Sequence, residues 1–189
     1  MRGKSHRTLG LLLTENYFNS LPQSYRRAFL LGCTQPDKNP ATYLKGSIHC
    51  QWLRGHNYDN ARSFLRRIIL RLETKERLGL WDYYTAGKLI HYTVDAFTYA
   101  HNSIFPGDLP EHRAYEADLQ IRFLRFLEEM PPLPTASGPR IAELMRTQHS
   151  QYLKLCGKPE TDCHFAFQVC CQIARQLAEK TSPLQPQCT

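Results

Sequence analysis

The segment that decides the fold is WDYYTAGKLIHYTVDAFTYAH, residues 81–101, which reads as one long helix. His91 and Asp95 lie four residues apart in it, so their side chains face the same way. Apolar residues such as Ile90 and Val94 surround the pair, so the helix is apolar on nearly every side and is expected to be buried. A buried His and a buried Asp need hydrogen-bond partners or a metal ion.

Further ligand-type residues follow this segment. His101 comes six residues after Asp95, and a random chain of this composition would contain the pattern His-x3-Asp-x5-His roughly 0.012 times. His112 and Glu116, again four apart, begin the next helical segment. A single His-x3-Asp pair is most often a surface hydrogen bond, but pairs on consecutive helices are how helical domains present imidazole and carboxylate to one metal. The spacing therefore predicts a metal site.

The rest of the chain predicts an all-α fold, because no segment alternates with period two. One helix is expected to open at Ser20-Leu21-Pro22, with Ser20 as its cap, and to end at Gly32. The stretch from Gly32 to Arg54 contains several Pro and Gly residues and is expected to be a long, functional loop. Other helices are expected near residues 59–72, 111–129, 139–155 and 162–180. We expect about seven helices in one domain, residues 1–181, and a loose tail, residues 182–189.

Composition narrows the class of protein. The 189 residues are 42% hydrophobic and 22% charged, which excludes a wholly disordered chain. No apolar run approaches the roughly 18 residues of a transmembrane helix, and Leu9–Leu13 is too short for a signal-peptide core, so a cytoplasmic location is expected. The 7 cysteines form no CxxC pair and are expected to be mostly buried thiols. A net charge of +7 favours anionic partners such as phosphates, nucleic acid or acidic lipid headgroups, without choosing among them.

Together, these motifs resemble the zinc-dependent phospholipase C family. The resemblance rests on His91-Tyr92-Thr93-Val94-Asp95, then His101, then His112-x3-Glu116. Two upstream features that the family pattern requires are also present. Pro36-Asp37 is followed twelve residues later by His49, and Ser5-His6 precedes an amphipathic helix. The resemblance runs in order from His6 to Glu116, and the last 73 residues match only as helices.

The resemblance implies an all-helical zinc enzyme with two or three zinc ions per chain. It assigns the first ion to Asp37, His49, His91 and Asp95, the second to His101, His112 and Glu116, and the third to His6 and Asp95. It also implies that a metal-activated water attacks the phosphate of a phospholipid or another phosphodiester, with Asp37 as the general base. These residue types fit zinc, which binds imidazole nitrogen and carboxylate oxygen.

Several alternatives stay open at this stage. His56 competes with His49 as the loop ligand, although the twelve-residue spacing favours His49. Secreted family members complete the third site with an amino-terminal tryptophan, so here either that site is incomplete or Met1 supplies the amine. Lys38 stands where choline-preferring members carry an aromatic residue, which disfavours a phosphocholine pocket.

Three functions compete on the sequence alone. The first is the phospholipase-type diester hydrolase, for which the basic charge also suits transient contact with an anionic membrane surface. The second is a zinc nuclease acting on single-stranded nucleic acid, a less favoured partner, because the fungal single-strand nucleases of the same superfamily are usually longer and secreted. The third is a non-catalytic helical module that zinc stabilises.

Overall fold

A computed structural model describes residues 1–44, 55–129, 133 and 138–180 of the chain. Within them, the expected all-α class is confirmed, with seven α-helices and no strand. The helices are α1 (Gly3–Tyr17), α2 (Gln23–Lys38), α3 (Tyr58–Thr74), α4 (Leu80–Ala96), α5 (Leu109–Glu128), α6 (Ile141–Leu155) and α7 (Pro159–Glu179). Two short 3-10 turns, Pro40–Leu44 and Tyr99–His101, complete the described structure. The expected tail, residues 182–189, lies outside the described residues.

Helix α4 is the central helix, as its apolar sequence predicts. It packs against α1, α2, α3 and α7. His91 and Asp95 are both 0% exposed, so the two polar groups lie in the interior of the domain. Ionisable groups are almost never buried without partners, so the rest of the fold must satisfy this pair.

The crossing of α2 and α4 depends on two glycines. A Cβ atom on Gly32 would lie 2.1 Å from the carbonyl oxygen of Tyr84, and one on Gly87 would lie 2.1 Å from that of Phe29. Real Cβ atoms essentially never approach other atoms so closely, so only glycine allows the two backbones to meet here. This close approach brings the end of α2 beside His91.

The expected end of α2 at Gly32 is therefore wrong. The helix continues to Lys38 and includes Pro36, so Asp37 lies in the last helical turn and not on a loop. The reason is tertiary, because Gly32 serves a close helix contact rather than a chain reversal. The expected Ser20 cap is also wrong, since the residue at the N-cap is Pro22.

The helix expected to reach His101 ends earlier, at Ala96. Thr98 is extended, and Asn102 donates its side-chain amide to the carbonyl oxygens of Ala96 and Thr98, at 3.1 and 2.9 Å. The hydrogen bond to Ala96 pairs a carbonyl group that the end of the helix leaves without an intrahelical partner. His101 lies on the following 3-10 turn, where its side chain faces back toward α4.

The next helix, α5, begins with a reciprocal cap. The backbone N–H of Glu111 donates to the Asp108 carboxylate at 2.9 Å, and the N–H of Asp108 donates to the Glu111 carboxylate at 2.8 Å. Such capping fixes the start of a helix by pairing two otherwise unsatisfied donors. His112 and Glu116 consequently lie in the first two turns, on one face.

Asp162, at the start of α7, ties the helices around the site together. Its carboxylate accepts hydrogen bonds from the Tyr99 N–H and the Tyr115 hydroxyl, both at 2.8 Å, and from the Tyr152 hydroxyl at 2.7 Å. The residue is 0% exposed, and this burial raises the pKa of Asp162 to about 6 although the three hydrogen bonds lower it. The cluster joins α7 to α5, to α6 and to the turn that carries His101.

Candidate metal centre

Four parts of the chain bring ligand-type side chains to one end of α4. They are the amino-terminal segment with α1, the last turn of α2, the residue pair before α3, and the 3-10 turn with α5. Among the described residues three groups of side chains result, and within each group the ligand atoms lie within 4.8 Å of one another. The groups are His6, His91 and Asp95; Asp37, His56 and His91; and His101, His112 and Glu116.

The group around Asp37 lies where α2, α4 and the segment before α3 meet. The Nδ1 atom of His56 lies 3.0 Å from Asp95 Oδ2, 3.2 Å from His91 Nε2 and 3.8 Å from Asp37 Oδ1. The Oδ2 atom of Asp37 is buried and has no hydrogen-bond partner among the described residues. Two imidazoles and two carboxylates thus converge on one point.

Three of the four ligands expected for the first zinc lie among the described residues. Asp37, His91 and Asp95 come together as the resemblance implies, and His56 is the histidine that joins them. His49, which the spacing favours, lies outside the described residues. The signal for His56 was present in the sequence, as a histidine just before the predicted helix that begins near Asp59, but spacing alone ranked it second.

The group formed by α5 and the 3-10 turn before it contains all three residues expected for the second zinc. His101 Nε2 lies 2.9 Å from Glu116 Oε1, and His112 Nε2 lies 3.7 Å from Glu116 Oε2. The imidazole rings of His101 and His112 are 5.0 Å apart between centroids. The four-residue spacing of His112 and Glu116 places both beside the 3-10 turn of His101.

The amino terminus completes the third group. His6, expected as a ligand of the third zinc, is fully buried and stacks on the His91 ring at 3.9 Å. Its Nε2 atom lies 3.0 Å from the Met1 carbonyl oxygen and 3.4 Å from Asp95 Oδ1, and its Nδ1 atom is buried without a partner among the described residues. The α-amino nitrogen of Met1 lies 2.9 Å from both Asp95 Oδ1 and Glu116 Oε1.

Hydrogen bonds on the outer side of the imidazoles orient three of them as metal ligands. His91 Nδ1 lies 2.9 Å from the Cys33 carbonyl oxygen, and His101 Nδ1 lies 3.3 Å from that of His56. The Thr42 hydroxyl donates to the Pro36 carbonyl at 2.7 Å, so it accepts from His56 Nε2 at 3.1 Å. An acceptor at one ring nitrogen places the proton there and leaves a lone pair on the other, which in each case faces the ligand groups.

Electrostatics explain how these charges coexist in the interior. Burial alone would raise the pKa of Asp95, but the Met1 amine and the histidines hold it well below its usual range. The same amine and His101 lower the pKa of Glu116 against the effect of burial. Burial would lower the pKa of the Met1 amine, yet Asp95 and Glu116 raise it to about 11. Without metal, the amino terminus is thus the main counter-charge to the carboxylates.

The donor set fits zinc. Imidazole nitrogen and carboxylate oxygen are its ordinary protein ligands, and the ring tautomers direct lone pairs inward. The buried Asp37 Oδ2 atom lacks a partner among the described residues, as expected for a group placed for an ion. The same residues could also hold other divalent ions that accept nitrogen and oxygen ligands.

Two of these groups, the one around Asp37 and the one with Glu116, open into a pocket of about 550 Å3. Its described lining includes Asp37, His56, His101, His112 and Glu116, together with Met1. Four exposed cations lie at its mouth, namely Arg2, Lys4, Arg7 and Lys38. A larger groove of about 1070 Å3 between α3 and α6 contains none of the candidate ligands among its described residues.

The described cysteines are mostly buried thiols. All five described cysteines are free, and four of them are buried. Cys50 and Cys188 lie outside the described residues. None of the described helices is long and apolar enough to cross a bilayer.

Comparison with known proteins supports the family that the sequence motifs resemble. The family model described as zinc-dependent phospholipase C matches residues 5–162 of the 189-residue chain. The match covers His6 and Glu116 and extends beyond the expected ligands to Asp162. No curated protein and no solved structure matches the chain. The length of the matched region, over most of the chain, shows that this protein belongs to the zinc-dependent phospholipase C family.

Proposed function

We propose that this protein is a zinc-dependent phosphodiester hydrolase of the phospholipase C type, acting on a phospholipid or a related diester. The observation that carries the proposal is that two of the three ligand groups found among the described residues contain His91 of α4, and that two of the three line one pocket. A purely structural zinc site is normally a closed cage of four protein ligands. A site with several metals beside a pocket leaves room for water and substrate, which argues against a non-catalytic module.

The proposed ligand sets follow the three groups. Asp37, His56, His91 and Asp95 would hold the first zinc, with His49 as the alternative histidine. His101, His112 and Glu116 would hold the second zinc. His6, Asp95, and the amine and carbonyl of Met1 would hold the third. Asp95 faces both the first and the third set, since its Oδ2 contacts His56 and its Oδ1 contacts Met1.

Zinc ions, when bound, acidify a coordinated water and neutralise the phosphoryl oxygens of the substrate. The chain's own residues then divide the remaining tasks. The carboxylate of Asp37 is 24% exposed at the pocket, whereas that of Asp95 is 1% exposed and inside the domain. Asp37 can therefore reach both an ion and a solvent-side proton, and we assign it the role of general base. We assign Asp95 the role of a metal ligand only.

The first prediction tests this division of roles. Asp37→Asn keeps the shape of the side chain but removes the proton acceptor, and loss of a positioned base costs about 10² to 10⁴ in rate. Turnover of the best diester substrate should fall by that factor while zinc at His101, His112 and Glu116 is retained. The measurement is turnover on a panel of phospholipids, small phosphodiesters and oligonucleotides, paired with elemental analysis.

Asp118→Asn is the matched control, because Asp118 is an exposed aspartate on α5 that pairs only with Arg122 among the described residues. Near wild-type turnover by Asp37→Asn would contradict the assigned role. If the zinc-loaded protein cleaves only oligonucleotides, the nuclease hypothesis replaces the proposal. If it cleaves nothing in the panel, the non-catalytic hypothesis does.

A further inference from the structure

The mouth of the pocket carries an unbalanced positive charge. Lys4 and Arg7 lie three residues apart on α1, so they share a face, and Lys38 is the last residue of α2. Together with Arg2 they line the same pocket as the candidate metal ligands, and all four are exposed. Two separate helices thus deliver cations to one rim.

These four cations, which we call the basic rim, are not neutralised by any carboxylate of the described residues. No ion pair among residues 1–44, 55–129 and 138–180 joins any of them to a carboxylate. The acidic residues of the described lining are Asp37 and Glu116, and both are candidate metal ligands. Arg2 donates to the Arg113 carbonyl oxygen at 3.1 Å, which holds its guanidinium in place without pairing its charge with a carboxylate of the described residues.

From this charge pattern we infer the substrate class of the site. The pocket selects diesters whose headgroup carries a further negative charge, a phosphomonoester or a carboxylate, beyond the phosphate that is cleaved. This inference rests on the proposed function. Zinc held by the ligand groups would neutralise the scissile phosphate, and the basic rim would bind the additional anion through charge-assisted hydrogen bonds, which guanidinium and ammonium groups form well with phosphate.

The same lining disfavours the two obvious alternatives. Quaternary ammonium headgroups are recognised by the faces of aromatic rings, and none of the described lining residues is Phe, Tyr or Trp. Single-stranded nucleic acid is held largely by base stacking on aromatic side chains, which the described lining also lacks. A compact anionic headgroup needs only the cations that are present.

The test compares soluble substrates that differ in the charge of the distal group. Short-chain phosphatidylcholine, phosphatidylglycerol and phosphatidylglycerol phosphate carry a cationic, a neutral and an anionic distal group on the same diacylglycerol. We expect kcat/KM to be at least about tenfold higher for the anionic than for the choline substrate at low salt, and the ratio to shrink in 0.5 M salt because screening weakens exposed charges. The deacylated glycerophosphodiesters, run in parallel, show whether the natural source is a lipid or a free diester.

Substitutions test whether the basic rim causes the preference for anionic headgroups. Lys38→Gln and Lys4→Gln should each lower the anionic-to-choline ratio by about twofold to fivefold, the range for exposed ion pairs. The double variant should lower it by about tenfold. Lys154→Gln, which removes an exposed cation on α6 outside the pocket, should leave the ratio unchanged.

A binding measurement separates this inference from the proposed function. Calorimetry on the zinc-loaded protein with phosphocholine and with glycerol 1,3-bisphosphate reports headgroup preference without turnover. Tighter binding of the bisphosphate, weakened by Lys38→Gln, supports the inference even if no diester is cleaved, in which case only the proposed function fails. Cleavage or binding that favours choline, a ratio unchanged in the double variant, or a preference for oligonucleotides would overturn the inference.

Discussion

Replacing Asp95 by Asn should reduce zinc content and stability together, because this one carboxylate serves two ligand sets. Its Oδ1 lies 2.9 Å from the Met1 amine and 3.4 Å from His6, and its Oδ2 lies 3.0 Å from His56 and 3.2 Å from His91. Asn keeps one oxygen but replaces the other with an amide donor, so one of the two sets always meets the wrong atom. Neither orientation of the amide restores the charge.

The magnitude follows from burial. Removing one partner of a buried ion pair costs about 3–5 kcal/mol, since the other charge stays in the interior uncompensated. In a chain of this size, 1 kcal/mol shifts the melting temperature by about 2–4 °C, so the expected loss is about 6–20 °C. Zinc content should fall from two or three ions to about one, held by His101, His112 and Glu116.

Elemental analysis and calorimetry after zinc reconstitution and dialysis measure both quantities. The matched control is Asp82→Asn, another buried aspartate on α4, which pairs with Arg71 at 2.8 Å and Lys75 at 2.7 Å outside the metal centre. It should lose stability with no loss of zinc. A full zinc complement in Asp95→Asn would refute the shared-ligand role, whatever its melting temperature.

Three further predictions test other parts of the structure. Gly32→Ala should lower the melting temperature by several degrees relative to the control Gly79→Ala, because overpacking typically costs about 1–3 kcal/mol. A Cβ atom at position 32 would lie 2.1 Å from a backbone oxygen, whereas one at position 79 would lie 3.7 Å from a side-chain oxygen. His56→Gln should lose one zinc and His49→Gln none, and the reverse result would return the ligand role to His49. The pKa of Asp162 is raised to about 6 from an ordinary 3.8, so the fold is less stable with this carboxyl ionised than with it protonated. The stability of the wild type relative to Asp162→Asn should therefore fall by up to about 3 kcal/mol as the pH rises from 4 to 7, and a flat difference in urea titrations would contradict this.

Local sequence was sufficient to predict the central helix. The all-α class and the burial of His91 and Asp95 follow from an apolar segment with a four-residue polar spacing. The second ligand group could be predicted equally well, since His112 and Glu116 are neighbours on one helix. These features depend on contacts between residues close in sequence, which helical periodicity encodes directly.

The features that the sequence predicted wrongly or left open depend on contacts between distant segments. Gly32 and Pro36 are breakers by local rules, yet the first is needed for a close helix crossing and the second is accommodated in the last turns of α2. Spacing favoured His49 over His56, but the path of the chain, which spacing does not encode, decides which histidine reaches α4. The carbonyl groups of Cys33 and His56 carry no side-chain signal at all, so their role in orienting imidazoles is visible only in three dimensions.

The helix crossing at Gly32 and Gly87 is structurally coupled to the metal centre. Gly32 permits the backbone of α2 to touch α4, and the very next carbonyl, that of Cys33, accepts the hydrogen bond that orients His91. One turn later the same helix places Asp37 beside that imidazole, at 3.5 Å from its Nε2. A methyl group at position 32 must push the helices apart, which lengthens the hydrogen bond from His91 and moves Asp37 at the same time. Packing at the crossing therefore determines the ligand geometry, and Gly32→Ala should weaken zinc binding as well as the fold.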